Sequence, residues 1–131
     1  MAEFEYFPEH IRKTVLEHIT PDEKIEMCFI AGSSISFSKD FVIITSKRVM
    51  VVDERTMGYL GKLYVNIKEN VLIEDIESIK IYKSPINRLF RQASIGLKVD
   101  RYEYLINNGS AGEINKAVKL INEIRQKLVK N

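Results

Sequence analysis

The chain has 131 residues, enough to bury a core without disulfide or metal staples, and its 45% hydrophobic and 29% charged content with only 6 glycines and 3 prolines excludes disordered, collagenous and low-complexity classes. Lys plus Arg is 20 and Asp plus Glu is 18, so the net charge of +2 supplies no global field of the kind that gathers nucleic acid. The single cysteine, Cys28, can form neither an internal disulfide nor a multi-thiolate metal site, which fits a reducing compartment.

At the N-terminus, Met1-Ala2-Glu3-Phe4-Glu5 is acidic and lacks the basic-then-apolar order of a secretory signal. Pro8 followed by Glu9 has the chemistry of a helix start, because proline is tolerated in the first turn and an acid there complements the dipole. Ile11, Val15, Leu16 and Ile19 then fall on one face, which predicts an amphipathic helix over residues 8–19. From Lys24 the period changes to two, with Ile25, Met27 and Phe29 alternating with Glu26, Cys28 and Ile30. The β-branched runs Phe41-Val42-Ile43-Ile44-Thr45 and Val49-Met50-Val51-Val52 are joined by Ser46-Lys47-Arg48, short enough for a hairpin. Both runs are poor in edge-protecting charge, so they read as strand edges that pairing between copies must cover.

A weaker strand over residues 59–67 is interrupted at Gly58 and Gly61. Ile73-Glu74-Asp75-Ile76-Glu77 ends a strand and turns, after which Ile79 and Ile81 are expected to face inward. Ile95, Leu97 and Val99 alternate next, and Asp100-Arg101 links them to Tyr102-Glu103-Tyr104-Leu105-Ile106 as a further hairpin. Ser110 and Glu113 form a capping box ahead of the stripe Ile114, Ala117, Val118, Ile121, Ile124 and Leu128, which predicts a helix over 111–129. The order is helix, about seven short strands between residues 24 and 106, helix. No apolar run approaches the ~20 residues that span a bilayer, and no linker divides the chain, so the expectation is a soluble cytoplasmic protein with one domain over residues 1–131.

These residues resemble the bacterial pleckstrin-homology-like domains. The resemblance is carried by the lead-in helix, by Pro21-Asp22-Glu23-Lys24-Ile25 entering the first strand, by a Thr-x-x-Arg hairpin at Thr45-Ser46-Lys47-Arg48 between apolar strands, and by the Asp75-Ile76-Glu77-Ser78-Ile79 step into a later strand. Asp22 stands where the family often has glycine. The resemblance implies a mainly β fold, a seven-stranded two-sheet barrel capped by the C-terminal helix and preceded by an extra N-terminal helix. It further implies a non-enzymatic role, commonly in homo-oligomeric assemblies. Phosphate binding through the first hairpin, familiar in eukaryotic pleckstrin-homology domains, does not carry over, because residues 32–40 contain one lysine and one aspartate.

No arrangement of residues in the sequence announces chemistry. His10 and His18 lie two helical turns apart with an angular offset of about 80°, too far to bind one ion alone. The sequence sets no basic motif beside Cys28, which reads as a small hydrophobe. The Gly109-Ser110-Ala111-Gly112 stretch resembles a phosphate cradle, but Glu113 would repel an anion there. Tyr59, Tyr64, Tyr82, Tyr102 and Tyr104 read as strand packing rather than a nucleic-acid stacking platform. Glu74, Asp75 and Glu77 read as a solvated turn. No catalytic residue, metal or cofactor is expected.

One segment stands out. Residues 80–101 carry Lys80, Lys83, Arg88, Arg91, Lys98 and Arg101 against the single acid Asp100, while residues 1–40 hold eight acids and four bases. Within it, Ser84-Pro85 can start a short helix on which Ile86, Leu89 and Phe90 share a face flanked by Arg88 and Arg91. The candidate interaction residues are therefore Lys83, Ile86, Arg88, Leu89, Phe90 and Arg91. They suit a protein interface, above all with a second copy of the chain, or an anionic membrane surface as the alternative. The plainest expectation, ahead of both, is a loop that folds the three apolar side chains over the barrel end and leaves the arginines in water.

Overall fold

Seven strands form two antiparallel sheets in the computed structural model, which describes residues 4–32, 39–57 and 61–130, with Thr56, Met57, Lys62, Ile86 and Lys130 described by backbone alone. After a 3-10 turn at Phe4–Tyr6, helix α1 (Glu9–His18) leads into β1 (Ile25–Ala31), β2 (Asp40–Thr45), β3 (Arg48–Met57) and β4 (Lys62–Leu72), which pair in that order. A 3-10 turn at Ile73–Asp75 starts the second sheet, built from β5 (Ser78–Tyr82), β6 (Gln92–Val99) and β7 (Tyr102–Ser110), again in order. The short helix α2 (Pro85–Leu89) lies between β5 and β6, and α3 (Ala111–Lys130) follows β7.

The expected barrel is not formed. The first sheet ends at β1 and β4 and the second at β5 and β7, so neither closes on itself. Between β4 and β5 the chain turns with Ile73 and Ile76 buried, which starts β5 in a new sheet. Near the other seam, the Gly32 N–H donates to the Asn107 carbonyl at 3.0 Å and approaches that of Asn108 at 3.4 Å, a local tie rather than a ladder between β1 and β7.

Local chemistry explains the turns. Two residues separate β2 from β3, and the Thr45 hydroxyl accepts the N–H groups of Lys47 at 3.1 Å and Arg48 at 3.0 Å, a side-chain substitute for a backbone turn. Asp100, at the β6–β7 turn, has a φ of 56°, a left-handed conformation that aspartate tolerates. Ser110 accepts the Glu113 N–H at 3.2 Å as the capping box requires, while the Glu113 carboxylate takes the Ser110 hydroxyl. Gly109 has a steric reason: a Cβ there would come within 2.7 Å of Ile114, which uses the space to reach the core.

Two hydrophobic cores result. The larger lies between the sheets and under α3, where Phe29, Ile44, Val49, Ile95, Leu97 and Ile106 meet Ile114, Ala117, Ile121 and Ile124. The smaller lies on the other face of the four-stranded sheet, where Phe7, Ile11 and Val15 cover Cys28, Phe41, Ile43, Met50 and Val52. Phe7 packs edge-on against Phe41 with ring centroids 5.0 Å apart. Every residue of β2 is buried, because the strand has neighbours on both edges and cover on both faces. The runs expected to be exposed edges are thus interior strands, and their continuous apolar character is that of strands buried on both sides.

Smaller expectations change too. Leu16 is exposed, since α1 rests on Ile11 and Val15 and turns Leu16 outward. Ile79 packs against the core, but Ile81, on the edge strand β5, is exposed. The fourth strand runs later than residues 59–67, and Gly58 and Tyr59 lie outside the described residues, as do residues 33–38 of the first loop. Among the described residues, no helix is long and apolar enough to cross a membrane.

Candidate functional site

Helix α2 is capped reciprocally. The Ser84 hydroxyl accepts the Asn87 N–H at 3.0 Å, and the Asn87 side-chain carbonyl accepts the Ser84 N–H at 3.2 Å. Pro85 suits the first turn because its missing N–H needs no partner there. The buried Asn87 also anchors the helix to the second sheet, its amide donating to Asn108 Oδ1 at 2.7 Å while the Asn108 N–H donates to the hydroxyl of buried Ser94 at 3.0 Å. At the exit Arg91 adopts a φ of 54°, its N–H reaching the Arg88 carbonyl at 3.3 Å and its own carbonyl accepting the N–H of Ala111, the first residue of α3, at 2.9 Å.

The anchors fix the helix, and Leu89 and Phe90 stand out from it. Leu89 is 77% exposed and Phe90 55% exposed, with Lys83, Arg88 and Arg91 also exposed around them. The arrangement in which the apolar side chains fold over the end of the sheets does not occur for Leu89 and Phe90; Asn87 takes the inward position instead. The Ile86 side chain lies outside the described residues. Asn87, Ser94 and Asn108 are the residues that sequence reasoning misses here, and the Ser-x-x-Asn spacing at the helix start is the one signal that points to them.

A second cluster joins the motifs that carried the resemblance. The Glu23 side chain is completely buried, with Arg48 Nε 3.0 Å from both carboxylate oxygens and Nη2 2.6 Å from Oε1. The Thr45 hydroxyl donates to Oε2 at 2.7 Å and the Thr20 N–H to Oε1 at 3.0 Å. Burial pushes the Glu23 carboxyl up, but these donors together outweigh it and hold the group at about 2. Beside it, hydrogen bonds from Lys47 and Thr20 bring the exposed Asp22 carboxyl down to about 2. With so many donors on it, Glu23 is neither a poised acid nor a base; the cluster clasps the entry of β1 to the β2–β3 hairpin.

The remaining candidates separate from one another. His10 Nε2 meets Glu54 at 3.1 Å, tying α1 to β3, while His18 Nδ1 meets the Thr14 carbonyl at 2.8 Å within its own helix. Among the described residues, no group of three His, Cys, Asp or Glu is placed to hold a metal ion. Cys28 is buried under α1. Tyr102 and Tyr104 meet edge-on at 4.5 Å, and the Tyr82 hydroxyl donates to Glu103 at 2.7 Å, crossing over Gly96, where a Cβ would clash with both side chains. Glu74, Asp75 and Glu77 are exposed.

No protein-family model matches the sequence, and no curated protein matches it. Two solved structures are similar in fold. One is a DUF1696-family protein with a pleckstrin-homology domain from Shewanella loihica, with a TM-score of 0.60 and 15% identity over 88% of this chain and 90% of that one. The other is a pleckstrin-homology domain from Shewanella amazonensis, with a TM-score of 0.57 and 15% identity over 88% of this chain and 85% of that one. The two sheets and the C-terminal helix over their shared core are therefore a pleckstrin-homology-like fold.

Proposed function

We propose that the chain is a non-catalytic interaction module, a single domain over residues 1–131, that works in the cytoplasm through protein contacts and assembles with copies of itself. The observation that carries this reading is the exposed pair Leu89 and Phe90, presented by a helix whose cap and side-chain anchors hold it in place. Exposed aromatic and aliphatic side chains on a fixed support make good interface anchors, because little conformational entropy remains to be lost on docking. Phe90→Ala is expected to weaken association by about 1 kcal/mol or more in sedimentation equilibrium, with the melting temperature of the dilute monomer unchanged. Association identical to wild type removes α2 from the contact.

The alternative reading is an anionic membrane surface, favoured by the exposed Lys83, Arg88 and Arg91 around the same apolar pair. Each basic residue contributes only about 1 kcal/mol at such a surface, and the attraction is confined to a Debye length. This reading requires salt-sensitive sedimentation with phosphatidylserine vesicles that is lost in Arg88→Glu with Arg91→Glu. No binding at low salt excludes it.

A further inference from the structure

The two sheets treat their cations differently. On the first sheet and its β2–β3 turn, Lys47, Arg48, Arg55 and Lys68 each meet a carboxylate, that of Asp22, Glu23, Asp53 and Asp40 respectively. On the second sheet and α2, Lys80, Lys83, Arg88, Arg91 and Lys98 are all exposed, and none of them forms an ion pair among the described residues. Glu103 lies opposite Lys98 in the β6–β7 register, but its carboxylate accepts the Tyr82 hydroxyl at 2.7 Å.

The register puts part of this charge on one face. Lys80 opposes Gly96 and Ser78 opposes Lys98, so Lys80 and Lys98 share the side of the sheet away from the core residues Ile79, Ile95 and Leu97, and the exposed Leu105 opposes Gly96 on that same side. Lys83 continues from β5 toward α2, which is tied to β7 through Asn108 and adds Arg88, Leu89, Phe90 and Arg91. We propose that this face and α2 dock an acidic segment of a different protein, whose carboxylates supply the missing counterions and whose apolar side chains meet Leu89 and Phe90. This proposal rests on the reading of α2 as a protein-contact surface; it adds the sheet face and names the chemistry of the partner. The sheet holds Lys80 and Lys98 as diagonal cross-strand neighbours about 7–8 Å apart, close to the roughly 7 Å between alternate residues of an extended chain. A protein segment can match that fixed spacing, whereas a fluid lipid surface makes no use of it. Opposite charges around an apolar centre speed encounter and set the register.

The test uses the full-length chain and a fluorescein-labelled synthetic peptide with glutamate at alternate positions and leucines at one end, read by fluorescence anisotropy, with the lysine-for-glutamate peptide as control. Wild type is expected to bind the acidic peptide, less tightly as salt rises, and to ignore the basic one. Lys80→Glu with Lys98→Glu is expected to weaken binding about tenfold or more, and Lys13→Glu, an exposed cation on α1, to leave it unchanged. Lys80→Gln with Lys98→Gln serves if the charge-reversed pair melts early. No binding of the acidic peptide at low salt overturns the proposal, as does binding equal in wild type and the sheet variant. Binding lost in Leu89→Ser but kept in the sheet variant confines the contact to α2, which overturns the proposal and leaves the α2 reading intact. Phosphatidylserine vesicles that bind wild type and not the sheet variant, with no peptide binding by either, make the face a membrane surface and overturn both.

Discussion

The two sheets differ in what covers them. The four-stranded sheet is packed on both faces, by α1 and the 3-10 turn on one side and by α3 and the second sheet on the other, and its β2 is wholly buried. The three-stranded sheet is packed on one face. Its other face carries Lys80, Tyr82, Lys98, Glu103 and Leu105, of which all but the half-buried Glu103 are exposed, and the short helix beside it leaves Leu89 and Phe90 in solvent. The contrast gives the first sheet an interior strand buried on both faces and leaves one face of the second in solvent.

The largest effect is expected at the clasp that holds the first sheet's hairpin. Arg48→Ala leaves the buried Glu23 carboxylate without its cation and should cost about 3–5 kcal/mol in chemical denaturation. A loss below about 1 kcal/mol would mean that water reaches Glu23 and that the clasp is not buried in solution. Ile121→Ala, at the centre of α3 and fully buried, should cost about 2–5 kcal/mol. A melt within about 0.5 kcal/mol of wild type would make α3 peripheral.

The Glu23 carboxyl is held at about 2 against an ordinary value of 4.5, so it sharpens the comparison through pH. A carboxyl depressed in the folded state contributes stability above its unfolded value and loses it as pH falls through the folded one. The contribution should be complete above about pH 4.5 and decline toward pH 2. In Glu23→Gln the acid limb of the stability curve should flatten over that window, and an unchanged limb would assign acid sensitivity to other carboxylates. The smallest effect is expected on the second sheet, where Ile81→Ala and Leu89→Ser should each change stability by less than about 1 kcal/mol, since both side chains are substantially exposed. A larger loss at Leu89 would show that α2 packs more deeply than its exposure indicates.

The sequence carries the elements well because a period of two and a period of 3.6 are local signals; α1, α3 and the β2–β3 and β6–β7 hairpins follow from them directly. Closure is not local. Whether β1 meets β7 and β4 meets β5 depends on contacts across most of the chain, which no periodicity encodes, and the barrel expectation fails at both seams. The apolar runs of β2 and β3 look like unprotected edges only while α1 has no assigned resting place; once Ile11 and Val15 lie on Ile43 and Met50, the same runs are interior strands. At the site, the apolar and basic side chains of residues 83–91 are legible as a cluster. Their outward display is not, because it depends on Asn87 meeting Asn108, a pairing of 2 polar residues 21 positions apart. Glu23 and Arg48 each belong to a recognisable motif, yet their contact emerges only when the hairpin folds back on the strand entry.

The proposal that the exposed α2 surface serves self-association is tested most directly by the solution mass of the wild-type chain beside that of Leu89→Ser with Phe90→Ala, both at high micromolar concentration. Wild type is expected at a multiple of 15.2 kDa and the variant at or near the monomer, still folded and melting cooperatively. A wild-type mass of 15.2 kDa, or an oligomer that the double substitution leaves intact, would contradict it.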